Sequence, residues 1–380
     1  MRSNHAAKSR MKKNKKSNFF DYSLLFIIIF LLCFGLVMLY STSSYNAQIK
    51  FGASTWYLKK QIAATLLGLA VMVFIIFFDY RRVKKFAGFM YIVSFFSIFL
   101  VLTPLGIEAY GARRWVNIPV FGSLQPAELA KLTTIIFLAY VISVNARKIK
   151  NFKNLVKVIL LTLPVIGAVA IVTENLSTAI ILTGIVIIML FVASPKYNHF
   201  FIMGGVAVGL VILFILLGDS FRMTRIEVWK NPEAYPLDGG FQVLQGLYAI
   251  GSGGIFGKGL GQSVQKLGFI PEAQNDMIFT IICEELGLFG AIAVILLFLF
   301  MLWRFMVIAN NAPDLFGALL VVGVMAHIAL QVILNIAVVT NSIPNTGVTL
   351  PFISYGGTSI LFLLAEMGLV LSVSKNIRSE

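Results

Sequence analysis

The chain has 380 residues, 58% of them hydrophobic and 12% charged, with a net charge of +15 and a mean hydropathy of +0.89. A water-soluble chain carries about a quarter charged residues, so most of this surface must lie in lipid, and the positive excess reports topology and anionic lipid contact rather than nucleic acid. The two cysteines, Cys33 and Cys283, sit in apolar runs and the three histidines are scattered, which argues against a disulfide framework or a histidine metal site.

Residues 1–20 are basic and polar and are expected to form a disordered cytoplasmic tail, leaving 21–380 as one membrane domain. The apolar run from Ser23 to Tyr40 is long for a signal-peptide core and reads as a first span; removal after Ser41 to Ser44 is the alternative. Ten spans are predicted, near 23–41, 58–78, 87–103, 125–143, 155–173, 177–193, 199–217, 277–303, 315–340 and 357–374. The fold class is therefore an all-α polytopic membrane protein with ten transmembrane helices. An even number puts both termini on one side. Of the 31 Lys and Arg, 20 fall on that side, ten fall opposite and Lys131 lies in a span, so both termini are assigned to the cytoplasm. The other face carries a large extracytoplasmic loop, residues 218–275, between helices 7 and 8, where function concentrates in such proteins. No internal repeat is visible.

The outer connections hold the unusual residues. "GARRWVNIP" sets Arg113 and Arg114 side by side against the topology rule; they read as a surface ion pair, a headgroup contact or a pyrophosphate fork. The fourth span opens "LQPAELAKL", where Gln125, Glu128 and Lys131 share one helix face. Charges at that depth pair with each other or face a cavity. Arg222 and Arg225 in "FRMTRIEVW" form a second cationic pair, with Asp219 and Glu227 as alternative partners. "FQVLQGLYAI" is amphipathic enough to lie in the interface. "AIGSGGIFGKGLGQS" (249–263) fails both the Walker and the GxGxxG registers. It reads as a flexible turn at the membrane surface, or as a backbone nest for an anionic or sugar ligand.

Asp276 opens the eighth span, where a carboxylate suits a helix cap. Asp276, Thr280 and Glu284 are spaced by four and would line one face beside a polar cavity. The roles of Glu284 and Glu285 stay open. The connection 341–357 is too apolar for a free loop and is expected to fold back on the bundle. Glu366, deep in the last span, needs a partner that the sequence does not name.

"GARRW", "QPAELAK", "AIGSGGIFGKGLGQS", "FIPEAQNDMIF", "EELG" and "TGVTLPFISYGG" occur together, in order, and make the chain resemble the SEDS family (shape, elongation, division, sporulation). The likeness covers nearly everything after the tail and is closer to the FtsW and sporulation branch than to RodA. It implies a ten-helix peptidoglycan glycosyltransferase that polymerises lipid II outside the cytoplasmic membrane. The implied partners are lipid II, the nascent lipid-linked glycan, a class B penicillin-binding transpeptidase and other division or elongation membrane proteins. The family's essential aspartate falls on Asp276, and its arginine and lysine fall on Arg114 and Lys131. Ala127, Asn275 and Thr358 depart from the usual Ser, Thr and Ser, which touches branch assignment more than activity.

The chemistry agrees with the residues. A lipid pyrophosphate leaves without protonation if cations stabilise its charge, so one carboxylate to accept a sugar hydroxyl's proton, plus several cations, suffices. Asp276 is then the general base or orients the hydroxyl; Arg113, Arg114 and Lys131 hold pyrophosphate; Glu128 positions Lys131; Arg222 and Arg225 contact phosphate or sugar. No cofactor is implied, and a divalent cation requirement stays open, although the few acidic residues argue against a protein-only metal cage. Two rival classes remain: a transporter (flippase) of the lipid-linked precursor, favoured by His327, Gln331, Asn335 and Glu366, and a non-enzymatic scaffold of the cell-wall machinery.

Overall fold

The structure, a computed structural model, describes residues 19–109, 112–118, 122–149, 151–194, 201, 204–205, 209 and 220–377. Within 220–223 and at residues 109, 118, 122 and 238 the backbone alone is described. In chain order the helices are α1 Tyr22–Phe51, α2 Trp56–Phe77, α3 Tyr80–Ile98, α4 Pro126–Val144, α5 Phe152–Val172, α6 Leu176–Ala193, α7 Ser220–Lys230, α8 Phe241–Ser252, α9 Ile278–Asn310, α10 Leu315–Val339 and α11 Gly357–Lys375. Among the described residues nine helices are long and apolar enough to cross a membrane. The expected span 199–217 and the tail 1–18 lie outside the described residues, apart from the four isolated positions above.

Local chemistry sets the helix ends. Asp21 caps α1 by accepting the Leu24 N–H at 2.9 Å, Asn175 caps α6 through Thr178 at 3.0 Å, and Asp314 caps α10 through Gly317 at 2.9 Å. Pro126 fits at the start of α4, where no N–H is needed. Glycine allows close crossings within the bundle. A β-carbon at Gly35 would meet the Phe352 carbonyl at 2.5 Å, and one at Gly68 would meet the Leu364 side chain at 2.6 Å. The last two helices form the centre: α11 runs along α2, and α10 packs on α4, α6 and α9. The outward flanks of α2 and α3 expose Leu66, Phe74, Phe89 and Phe96, which suits a lipid solvent.

Two features differ from the sequence expectations. Between α3 and α4 the chain forms a small antiparallel sheet in the order β1 Gly106–Ala109, β2 Ala112–Ile118 and β3 Gly122–Leu124. The fold is therefore mostly helical rather than all-α. β2 alternates as a strand must: Ala112 and Val116 are buried, whereas Arg113 and Asn117 are exposed.

The second is α9. It starts at Ile278, close to the expected 277, but Met277 rather than Asp276 holds the capping position, with no side-chain cap. Thr280 spends its hydroxyl on the Met277 carbonyl at 2.7 Å, so Asp276, Thr280 and Glu284 do not line one polar cavity. At Gly287 the helix opens (φ 66°, ψ −163°), about 14 Å below its start at 1.5 Å per residue. Into that opening the glycine-rich stretch inserts. Lys258 and Gly259 donate their N–H groups to the Glu284 and Glu285 carbonyls, each at 2.9 Å, and Leu288 donates to Gly254 at 2.9 Å. The stretch is a loop fastened to a helix by backbone hydrogen bonds rather than a free, flexible turn.

Candidate active site

Asp276 lies in the run of turns before α9, half-buried, beside the connection from α10 to α11. A β-carbon at Gly347, on that connection, would stand 3.9 Å from Asp276 Oδ2. The connection folds back on the bundle, as its apolar composition predicts. Ser177 donates to Thr346 O at 2.6 Å, Trp229 Nε1 to Asn341 O at 2.9 Å and Tyr355 N–H to Gln274 O at 2.9 Å. Gln331 and Asn335, one turn apart on α10, reach up to it. Gln331 Nε2 donates to Thr349 O at 3.0 Å, and Asn335 Nδ2 to Val348 O at 2.7 Å and to Asp276 O at 2.8 Å. Asn335 thus holds the backbone of Asp276 and the facing loop in one hand.

Burial pushes the Asp276 carboxyl up to about 6 from the usual 3.8; Glu272 adds to the shift, while its own backbone N–H and Arg225 oppose it. Arg225, on α7, donates to Asn345 O at 3.2 Å. Arg114 donates through Nε to Thr173 O at 3.3 Å and through Nη2 to Glu174 O at 3.0 Å, which pins it to the corner between α5 and α6. Burial lowers both guanidinium pKa values, and Arg225 lowers that of Arg114 further. The two arginines are close enough to repel, and a carboxylate opposes the shift of each, Glu174 for Arg114 and Asp276 for Arg225.

Deeper, Lys131 Nζ meets Glu128 Oε1 at 2.8 Å, with 2% and 8% of the side chains exposed. Ser359 donates to Glu128 at 3.1 Å, and Lys131 donates to Gln331 Oε1 at 3.4 Å. Lys131 is therefore linked to the loop over Asp276 through Gln331. Arg113 is not brought to this place: the strand turns it to the opposite face, where it pairs with Glu108 at 3.2 Å, both exposed. Arg222 lies on α7, but its side chain is outside the described residues, as is Asp219.

A cavity of about 490 Å³ opens between α7, α8 and the 341–345 turn, lined among others by Thr224, Arg225, Trp229, Gln242, Asn341 and Asn345. Val228, Leu237 and Val243 line it too, so its wall mixes apolar side chains with an aromatic ring, three amides and a guanidinium. Sequence reasoning left Gln331, Asn335 and Ser359 out of this site, although the first two stand four apart in an apolar helix. Glu366 finds its partner in His327, Nδ1 to Oε2 at 2.8 Å, both buried. Among the described residues no group of three or more His, Cys, Asp or Glu is placed to hold a metal.

Residues 22–379 match the family model for FtsW, RodA and SpoVE, described as "Cell cycle protein". The chain is 40% identical over 366 residues to stage V sporulation protein E of Bacillus subtilis (strain 168), covering 94% of this chain and 98% of that one. It is 37% identical over 360 residues to the probable peptidoglycan glycosyltransferase FtsW of Geobacter sp. (strain M18), again covering 94% and 98%. Among solved structures it resembles a chain of a peptidoglycan synthase complex, reported for its coordination of polymerization and crosslinking, with a TM-score of 0.78, 29% identity and coverage of 93% and 97%. It also resembles the rod shape determining protein RodA of Thermus thermophilus, with a TM-score of 0.68, 26% identity and coverage of 95% and 98%.

Proposed function

The chain belongs to the FtsW, RodA and SpoVE family of cell cycle proteins, and from that membership we propose that it is a peptidoglycan glycosyltransferase polymerising lipid II for division, elongation or sporulation. It is a multi-pass membrane protein. The active site faces the extracytoplasmic side, with ten spans and both termini in the cytoplasm. The two-to-one bias of Lys and Arg supports this orientation.

In the reaction a sugar hydroxyl of one lipid-linked glycan attacks the anomeric carbon of another. The new C–O bond forms as the bond to pyrophosphate breaks, and the bonding pair leaves with the lipid pyrophosphate. Asp276 takes the hydroxyl proton. A carboxyl held near 6 is charged at neutral pH yet more basic than a free aspartate. Arg114, Arg225 and Lys131 stabilise the departing charge, and Glu128 holds Lys131 in place. The cavity beside Arg225 takes part of the sugar headgroup. Both substrates keep their tails in the bilayer, so a site at headgroup height also supplies proximity. The observation that carries the reading is Asp276 itself, half-buried with Arg225 beside it.

The partner is a class B penicillin-binding transpeptidase, in keeping with the peptidoglycan synthase complex that the chain resembles. The test is incubation of the purified protein with lipid II, with and without its transpeptidase, followed by sizing of the product. Glycan strands are expected; none under either condition would refute the activity. The buried His327–Glu366 pair favours a second reading, transport of the lipid-linked precursor. ATP-independent flipping of lipid II in vesicles by the pure chain, with no polymer, would select it.

A further inference from the structure

Asp276 stands at the end of a connection, residues 253–277, built of turns and bends with no helix or strand. A catalytic group must be held within about 0.5 Å, and turns alone do not hold one. Two carboxylates that the reaction does not use lie below it on α9. Glu284 and Glu285 are fully enclosed, which is costly in a membrane helix unless each is paired. Glu284 accepts from Lys258 Nζ at 2.7 Å, from Ser263 Oγ, and from the N–H groups of Val264 at 3.2 Å and Gln265 at 3.4 Å. Glu285 accepts from Lys266 Nζ at 2.7 Å, from Ser41 Oγ at 2.7 and 2.8 Å, and from the Ser263 N–H at 3.4 Å. Lys266 Nζ also donates to Ser41 at 2.9 Å, which ties in α1. Consecutive backbone amides turned towards an anion make a nest. Here the anions are the protein's own.

We infer that Glu284 and Glu285 are positioning residues: they are the resident anions of the glycine-rich nest, and by clamping residues 258–266 to α1 and α9 they fix where Asp276 stands. The inference rests on Asp276 being the catalytic base. From the clamp a series of short turns leads to it. Leu267 donates to Val264 at 3.1 Å, Ile270 to Gln265 at 3.0 Å and Asn275 to Glu272 at 2.9 Å, while Lys50 of α1 pairs with Glu272 at 3.1 Å. Ile270, Ala273 and Gln274 are buried along the way, so a displacement at Ser263 has little slack to absorb it before Asp276.

The test uses the purified full-length protein with lipid II. Glu285→Gln alone would strand Lys266 as a buried cation, so it is combined with Lys266→Met; Ser263→Ala, which keeps every charge, is the milder variant. Positioning predicts kcat about 10²-fold lower in the double variant and about tenfold lower in Ser263→Ala, with KM within about threefold. It also predicts that the acid limb of the rate profile moves below its wild-type midpoint near 6 as water reaches a loosened Asp276. Amide exchange should rise across 253–277 and stay unchanged in α4. Wild-type kcat and midpoint in both variants would overturn the inference. If the double variant does not fold, Ser263→Ala decides, together with exchange in the wild type, where fast exchange at Lys258, Gly259 and Leu288 overturns the clamp. Asp276→Asn is run alongside. Polymer from that variant sinks the base assignment, whereas an inactive Asp276→Asn beside fully active clamp variants sinks the clamp alone.

Discussion

Adjacent arginines have different fates here because a strand sends neighbours to opposite faces. Arg114 turns inward towards Arg225, and Arg113 turns outward to Glu108. Arg114→Ala is expected to lower polymerisation by about 10²-fold, as loss of one charge-stabilising donor does. Arg113→Ala should change it by less than about threefold, because an exposed ion pair contributes at most about 1 kcal/mol. Equal losses in initial-rate assays would contradict the assignment. For Lys131 and Glu128 the issue is burial. Glu128→Gln leaves an uncompensated cation in the bundle and should cost about 3–5 kcal/mol of stability. Adding Lys131→Met should restore most of the melting temperature but none of the polymer; polymer recovered with stability would make the pair purely structural. Asp276 carries opposite signs for stability and for rate. Its carboxyl is raised from 3.8 to about 6, so the folded protein binds the proton more tightly than the unfolded chain. That stabilising contribution is fully present below about 4 and is lost as pH rises through about 6. If Asp276 is the proposed base, the rate is expected to run the other way, since a base must be ionised.

At the scale of elements, the glycine that opens α9 is under the tightest constraint. Gly287 has φ 66° and ψ −163°, a region open in practice only to glycine. A β-carbon there would also meet the Ile255 carbonyl oxygen at 2.5 Å. Gly287→Ala should therefore release the glycine-rich loop and destabilise the protein by at least about 1–3 kcal/mol, seen as a lower melting temperature and faster amide exchange at Leu288. An unchanged melting curve would mean that the helix is not held open there. The long helices were legible in the sequence because each apolar run is continuous. The strand Ala112–Ile118 was not: its alternation spans seven residues and three of them are polar. The clamp was half legible. Glu284 and Glu285 announce a need for partners, but Lys258, Lys266 and Ser41 meet them only through tertiary folding, Ser41 from 244 positions away. His327 and Glu366 repeat the lesson at 39 positions apart. Asp276 reads as a helix cap because Asn-Asp suits one; the turns held by Glu272 put Met277 in that position instead.

For the whole molecule, the proposed orientation places Ala53, between α1 and α2, outside the cell and Asn376, after α11, inside. In a Cys33→Ala background, Ala53→Cys should react with a membrane-impermeant maleimide on intact cells, and Asn376→Cys only after permeabilisation. The reverse pattern would invert the topology and turn Asp276 towards the cytoplasm. In the proposed reaction everything rests on one proton acceptor above a cationic floor, between two tethered glycans. Its most direct measurement is lipid II polymerisation by wild type and Asp276→Asn, both in proteoliposomes, from about pH 5 to about pH 7. A wild-type rate that climbs with a midpoint near 6 and no polymer from a folded Asp276→Asn at any pH are expected. Polymer from that variant, or a wild-type rate flat across the range, would contradict the proposed reaction.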